Sequence, residues 1–300
     1  MNRKLRIFVA IPDSSLSDEK NLREKTIKIG RFARVFSIFG VNKVIIYKDP
    51  TTKNMNSDKL LMKLILDFLN TPQYLRKSIY PLNHELSYIG LLPPIRAPQH
   101  KKKVKLSEVK AGELRIGLIY HKKSLLNQIS NNKKFIIDWR NKTYEYYVDV
   151  GLDSPIPFLG QGKDGQKIIV KFIDSYPNLK AIQTTETDIE KEYLGYDILS
   201  INSIDEFIKK IDQKTFVVFT SKKGMLFKNK ESEFKEIIKK FEILLIVFGS
   251  PSKGINEIYP TFQKINNSMY LNMFPHQKTE TIRLEEALLG TLTIFNHFLN

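Results

Sequence analysis

The sequence contains no cysteine among its 300 residues, which excludes disulfide bonds, thiolate metal sites and cysteine nucleophiles. Its five histidines are scattered and do not have the spacing of zinc ligands, so no metal site is expected. No run of about 20 apolar residues occurs, and the apolar stretch after the basic N-terminus ends at Pro12, too early for a secretory signal. We therefore expect a cytoplasmic protein that does not insert into a membrane.

Three common catalytic patterns are also missing. Gly249 and Gly254 have the spacing of a phosphate-binding loop, but Ile255 follows where that loop requires lysine. The first predicted strand ends at Pro12 without the glycines of a dinucleotide-binding fold, and no G-x-S-x-G nucleophile elbow occurs. These absences disfavour nucleotide hydrolysis, cofactor-linked redox chemistry and serine-hydrolase chemistry.

The charge balance is strongly basic. Forty-eight lysines and arginines face 32 acidic residues, which gives a net charge of +16. Such an excess attracts polyanions such as RNA over long distances and through counterion release. Charge alone fits a lysine-rich solvated surface equally well. The placement of the basic residues must therefore distinguish polyanion binding from simple solvation.

Both ends of the chain alternate between strand and helix patterns, which is typical of an α/β fold with a parallel sheet. Residues 242–248 form a largely continuous apolar run, as expected for a strand covered on both faces. Open α/β sheets bind ligands beyond the carboxyl ends of their strands, so the loops after such strands are candidate sites. The other predicted strands are residues 5–11, 44–47, 196–199, 216–219 and 268–274, and the predicted helices are residues 21–39, 58–69, 203–211 and 232–241.

The middle of the chain, residues 97–180, changes to an alternation with a period of two. Leu114, Ile116 and Leu118, for example, lie on one side of a predicted strand. Several such short strands separated by turns predict a small antiparallel β-barrel, similar to an OB fold. We therefore predict a discontinuous α/β domain, residues 1–96 and 181–300, interrupted by a barrel domain at residues 97–180.

Basic and aromatic residues are interleaved in the predicted barrel, a combination that suits phosphate neutralisation beside base stacking. The aromatic candidates are Trp139, Tyr144, Tyr146 and Tyr147, although the alternation also fits a place in the barrel core for half of them. On the first helix Lys28, Arg31 and Arg34 are spaced by three residues, which predicts a basic row or simply a solvated face. The RNA-binding candidates are Lys28, Arg31, Arg76, Lys77, Lys101, Lys102, Lys103, Lys122 and Lys123.

Two C-terminal motifs carry a resemblance to a known family. They read Phe248-Gly249-Ser250-Pro251-x-x-Gly254 and Asn272-x-x-Pro275-x-x-x-Thr279-Glu280-Thr281-x-Arg283-x-Glu285-Glu286-Ala287. In these motifs the sequence resembles the SPOUT-class RNA methyltransferases. The similarity is to the archaeal and eukaryotic branch that includes the human centromere-associated SPOUT protein. It extends over nearly the whole chain, through Leu22-x-x-Lys25-Thr26-x-x-x-Gly30-x-x-Ala33-Arg34 and residues 74–77 and 90–94.

The resemblance implies an α/β-knot domain whose C-terminal segment forms a trefoil knot, a homodimer, and S-adenosylmethionine bound in the knot. It also implies functional roles for individual residues. Arg34 would act in catalysis or bind RNA phosphate, and Glu280 or Glu285 would accept a proton or orient Arg283. The implied cofactor-binding residues are Thr220, Ser221, Gly249, Gly254, Ile255, Asn272, Met273, Phe274, Pro275, Thr279 and Thr281. Taken without the resemblance, the glycines fit a tight turn and residues 279–286 fit the start of a capped helix.

The activity implied by the resemblance is S-adenosylmethionine-dependent methylation of a uridine in ribosomal or transfer RNA, with S-adenosylhomocysteine as the second product. The alternative is a catalytically inactive RNA-binding or assembly protein that keeps the knot as a dimerisation module. Binding of S-adenosylmethionine separates these two hypotheses.

Overall fold

The computed structural model describes residues 5–53, 55–125, 144–185, 188, 192–260, 262 and 265–299. One unit comprises Met1–Leu69, His84–Ile95 and Gly195–Asn300, and a second comprises Asn70–Asn83 and Arg96–Leu194. The described helices are α1 (Leu22–Ile38), α2 (Asn56–Asn70), α3 (Gln73–Ile79), α4 (Ile204–Lys210), α5 (Glu231–Ile238), α6 (Ile255–Ile258) and α7 (Leu284–Leu299). Across these described segments, no helix has the length and apolar character to cross a membrane.

The strands divide between a sheet and a barrel. In chain order they are β1 (Arg6–Pro12), β2 (Lys43–Tyr47), β3 (Leu114–His121), β4 (Tyr146–Asp149), β5 (Ile156–Phe158), β6 (Lys167–Phe172), β7 (Ala181–Gln183), β8 (Asp197–Ile201), β9 (Thr215–Leu226), β10 (Ile243–Val247) and β11 (Ser268–Asn272). In the first unit the described strands form a six-stranded sheet in the order β11, β9, β10, β1, β2, β8, with every neighbouring pair parallel.

Both faces of this sheet are covered, which explains why its central strands read as continuous apolar runs. All residues of β10 are buried, as predicted. Along β1, Val9 and Ile11 pack into one apolar cluster, whereas Phe8 and Ala10 pack into another. Because successive side chains of a strand point to opposite faces, the two clusters are the cores above and below the sheet.

The predicted first helix is confirmed as α1. Its N-terminus is capped by the side chain of Asn21, which accepts a hydrogen bond from the amide of Glu24. Ile29, Phe32 and Phe36 form an apolar stripe at helical spacing and are fully buried in one sheet-face cluster. The expected basic row beside that stripe is wrong at Lys28, which is only 1% exposed.

The second unit contains a closed barrel of five described strands in the order β3, β4, β5, β7, β6. The prediction of an antiparallel barrel holds except for β5 and β7, which pair in parallel. Tyr147 packs in an apolar cluster of this unit, as the period of two allowed, while Trp139 lies outside the described residues. Helix α3 belongs to the same unit, where the Tyr74 hydroxyl donates a hydrogen bond of 2.6 Å to the carbonyl of Ile116.

Candidate functional site

A cavity of about 510 Å³ lies in the first unit, beside residues 220–223 of β9 and beyond the carboxyl ends of β10 and β11. This is the edge at which parallel sheets place their ligands. The strand ends, the loops that follow them and one face of α7 line the cavity. The lining residues are 220–223, 248–254, 256, 257, 272–274, 277, 280–282, 284, 287 and 291.

Strand β9 reaches the cavity because it continues past its pairing with β10. The register of β9 and β10 ends at Phe219 and Val247, whereas β11 shifts register so that Tyr270 pairs with Phe219 and Leu271 with Met225. The intervening residues of β9 bulge into the cavity wall. At Gly224 the backbones come so close that an added Cβ would lie 2.5 Å from the carbonyl carbon of Leu271.

Side-chain hydrogen bonds fix the bulge to its neighbours. The side-chain Nδ2 of Asn272 donates to the carbonyl of Lys222 at 3.0 Å, and the side-chain Oδ1 of Asn272 accepts from the backbone amide of Phe274 at 2.9 Å. The Thr220 hydroxyl donates to the carbonyl of Val247 at 3.1 Å. The ends of three neighbouring strands therefore hold one another at the cavity.

The loop after β10, residues 248–254, forms a second wall. The amide of Ser250 donates to the carbonyl of Lys253 at 2.9 Å, which closes the loop on itself. A Cβ on Gly249 would lie 2.8 Å from that same carbonyl oxygen, so glycine is required by the tightness of the loop. A Cβ on Gly254 would come equally close only to the side chain of Asn256. Because that side chain can move, the loop does not require glycine at this position.

Helix α7 supplies the third wall through Leu284, Ala287 and Thr291, which lie on one face at helical spacing. Gly290 lets the ring of Phe274 approach this helix, because a Cβ there would lie 2.4 Å from a ring carbon. The Phe274 ring is thus seated against α7 while it lines the cavity.

The charged residues of the cavity wall are Lys222, Lys223, Lys253, Glu257 and Glu280. The Lys222 ammonium group lies 3.3 Å from the backbone carbonyl of Glu280, and the Glu257 carboxylate accepts from the amide of Gly254. Within the described segments no group of acidic or histidine side chains is arranged to hold a metal ion. The wall suits an organic ligand with both polar and apolar parts.

Most residues implied by the resemblance lie at this cavity. Thr220, Ser221, Gly249, Gly254, Asn272, Met273, Phe274, Glu280 and Thr281 line it. Ile255 is instead fully buried in a sheet-face cluster, and Pro275, Thr279, Arg34, Arg283 and Glu285 do not line the cavity. Sequence reasoning missed Lys222 and Lys223, although they follow directly after Thr220 and Ser221 in the chain.

Glu285 is buried in a network of charges rather than in the cavity wall. Its Oε1 lies 3.1 Å from Arg31 Nη1 and its Oε2 lies 3.8 Å from Lys28 Nζ. Lys28 also pairs with Asp18 and Glu19. The ammonium group of Lys28 therefore faces carboxylates inside the protein, whereas Arg34 is exposed on α1.

The basic candidates of the second unit differ in how they are engaged. Lys101 donates to the carbonyl of Leu114 and lies within ion-pair distance of Glu113 and Glu192. Burial lowers the pKa of Arg76, whose Nε donates to the carbonyl of Thr71. Lys122 is half-buried, and the exposed candidates of this unit are Lys77, Lys102, Lys103 and Lys123.

Comparison with known proteins identifies the family of this chain. A family model described as "Putative RNA methyltransferase" matches residues 6–295. The 28S rRNA (uridine-N(3))-methyltransferase of Drosophila melanogaster is 27% identical over 95% of this chain, and the chain spans 61% of that relative's length. The human protein of the same name is 22% identical over a match that covers 97% of this chain and 77% of the human protein. An uncharacterized protein of Haloarcula marismortui is 22% identical over a match that covers 95% of this chain and 96% of that protein.

Proposed function

Since the chain belongs to the putative RNA methyltransferase family, we propose that it uses S-adenosylmethionine to methylate a uridine of ribosomal RNA. The observation that carries this proposal is the cavity beside β9 and beyond β10 and β11, which is lined by loops of the family-matched segment. The relatives named as 28S rRNA (uridine-N(3))-methyltransferases support the choice of uridine N3 as the acceptor atom.

The cavity fits the proposed cofactor in size and in the nature of its wall. Its volume of about 510 Å³ falls within the range of small-molecule sites. The residues that would hold S-adenosylmethionine are residues 248–254 and Asn272, Met273 and Phe274, through main-chain groups and apolar side chains. When bound, the cofactor supplies a methyl group already activated by a positively charged sulfur.

Methylation at uridine N3 requires removal of the N3 proton, so the site needs a base beside the acceptor. Glu280 is the candidate that the geometry favours, because it is exposed at the cavity wall. Glu285 is held by Arg31 and Lys28 inside the protein and is not proposed for this role. The walls of the cavity would align the uridine, and the Glu280 carboxylate would accept the N3 proton.

We further propose that the C-terminal segment forms the trefoil knot of the SPOUT class and that the chain is a homodimer. We also propose that the barrel of strands β3 to β7 is an OB-like RNA-binding domain. Exposed Lys102, Lys103 and Lys123 support RNA contact by the barrel, and Lys222 and Lys223 support phosphate contact at the cavity. Such contacts weaken as salt rises, so RNA affinity measured over a salt series should fall steeply. Light scattering tests the dimer.

Three experiments test the proposed activity. Calorimetry should detect binding of S-adenosylmethionine, and absence of heat at millimolar ligand would overturn the enzyme and leave an RNA-binding protein. In a methylation assay with ribosomal RNA, Glu280→Gln should reduce kcat about 100-fold or more, as loss of a general base does, with cofactor affinity preserved. Glu286→Gln is the matched control, because Glu286 caps the amide of Arg283 and does not line the cavity. Mass spectrometry of ribosomal RNA from cells without the protein should show loss of one 3-methyluridine.

A further inference from the structure

Tyr47 connects the end of β2 to the first residue of the cavity loop. Its side chain is fully buried, and its hydroxyl donates a hydrogen bond of 2.5 Å to the carbonyl of Phe248. Strand β1 lies between β2 and β10 in the sheet, so the phenol reaches across β1 to make this contact. The amide of Phe248 donates to the carbonyl of Ala10 in β1 at 3.0 Å. Both backbone polar groups of Phe248 are therefore fixed by neighbouring strands.

The other end of the loop touches the turn that follows Tyr47. The ammonium group of Lys253 lies 3.5 Å from the carbonyl of Thr51. That turn is built around buried Asp49, whose Oδ1 accepts from the amide and hydroxyl of Thr51 and whose Oδ2 accepts from the hydroxyl of Ser14 at 2.6 Å. The turn is thereby tied to the residues that follow β1, and the cavity loop is held at its first residue by Tyr47 and at Lys253 by this turn.

The Tyr47 hydroxyl is a permanent donor. Burial raises the pKa of Tyr47 well above its ordinary value, with the nearby carboxylates of Asp49 and Asp13 acting in the same direction. The phenol therefore stays neutral over the physiological pH range and donates to Phe248 throughout. Removal of the hydroxyl would leave a buried carbonyl without this partner, and the loop would relax to find another.

We propose that Tyr47 is a positioning residue for the cofactor: by fixing the carbonyl of Phe248 it sets the path of residues 248–254, the cavity wall that would hold S-adenosylmethionine. This inference rests on the proposed function. Tyr47 does not line the cavity, so its effect on binding passes through the loop.

The test is Tyr47→Phe, which removes one hydroxyl and keeps the buried ring. The structure offers a matched control in Tyr196→Phe, because Tyr196 is also buried in the first unit and donates to a backbone carbonyl, that of Leu66, at 3.1 Å. Both variants should lower the melting temperature. Only Tyr47→Phe should raise the Kd for S-adenosylmethionine, by about five- to tenfold, the fold-change that a lost hydrogen bond corresponds to. At saturating cofactor its kcat should return close to the wild-type value, because no reacting group is altered.

The outcomes separate the two proposals. If the wild-type protein binds the cofactor and Tyr47→Phe binds it equally well, the inference is overturned and the proposed function stands. Equal weakening by both variants would also overturn it, because a general loss of stability would then explain the effect. If the wild-type protein binds no cofactor, the proposed function fails and the inference fails with it.

A second variant covers the case in which Tyr47→Phe does not fold. Ser14→Ala removes a hydroxyl that fixes Asp49 and should raise the same Kd by a smaller factor. Ser37→Ala, whose hydroxyl donates to the carbonyl of Ala33 within α1, is its control and should leave the Kd unchanged. An unchanged Kd for Ser14→Ala would count against the turn as a support of the loop.

Discussion

Arg31 of α1 and Glu285 of α7 are 254 positions apart in the chain, and their Nη1 and Oε1 atoms lie 3.1 Å apart in the structure. The second oxygen of Glu285 faces Lys28 at 3.8 Å. Helix α7 also carries Leu284, which lines the cavity. The first and last helices of the unit are thus joined by charged groups one residue away from the proposed cofactor site.

The two cations of this network should differ strongly in their contribution to stability. Lys28→Met leaves the buried carboxylate of Glu285 and those of Asp18 and Glu19 without their shared cation, which should cost about 3–5 kcal/mol. Arg31→Met should cost about 0–1 kcal/mol, because the Arg31 side chain is 55% exposed and its ion pair is screened by solvent. Urea unfolding of both variants measures the difference, and equal losses would contradict the assignment of Lys28 as a buried partner.

The two glycines of the cavity loop should respond differently to alanine. Gly249→Ala should weaken S-adenosylmethionine binding at least about tenfold, because its Cβ would press on the backbone of Lys253 and open the loop. Gly254→Ala should have a much smaller effect, since only the Asn256 side chain has to move. Calorimetry on the two variants measures this contrast. The reverse order of affinities would show that Gly254 makes the closer approach to the ligand.

Gly290 and Phe274 should be energetically coupled. Gly290→Ala should displace the Phe274 ring, lower stability by about 1–3 kcal/mol through overpacking and weaken cofactor binding. In a Phe274→Leu background the same change should cost less, because the smaller side chain leaves room for the new methyl group. A double-mutant cycle on unfolding free energies measures the coupling. Strict additivity would mean that the ring relaxes freely away from α7.

Asp13 should make stability depend on pH in a defined direction. Burial is the largest cause of its raised pKa, which the hydrogen bond from the amide of Asp49 only partly offsets. A raised folded-state pKa means that the contribution of Asp13 to stability is fully present below its ordinary pKa of 3.8 and is lost as pH rises through the folded-state pKa. Asp13→Asn keeps the acceptor for Asp49 and removes this titration. The melting temperature of the variant minus that of the wild type should therefore be larger near neutral pH than near pH 4. A difference that stays constant across pH would contradict the prediction.

Local patterns in the sequence were sufficient where each element depends on its own residues. The helical spacing of Ile29, Phe32 and Phe36 is a local property that favours α1, and the apolar run of residues 242–248 predicted β10 as a covered parallel strand. Alternation with a period of two predicted a barrel between the α/β segments. The glycine loop after β10 was recognisable as a candidate site because its position at a strand end is a local property.

Long-range contacts explain what the sequence patterns missed. Lys28 was predicted on a basic row because helical spacing gives the side on which a residue lies and not what packs there; Asp18, Glu19 and Glu285 surround it. Lys222 and Lys223 were missed because β9 was predicted to end at Phe219, and its continuation depends on pairing with β11. Residues 70–83 join the second unit through contacts such as Tyr74 with Ile116.

The sequence by itself determined the main helices and strands of the α/β segments, the α/β class with its barrel, and the loops that carry the family motifs, because periodicity and glycine positions act within a few residues. Only the tertiary structure decided which residues share the cavity, which cations are buried, and how Tyr47 meets Phe248 across a strand. The physical reason is that burial and hydrogen-bond partners are set by side chains that come together from distant parts of the chain. No local pattern records those distances.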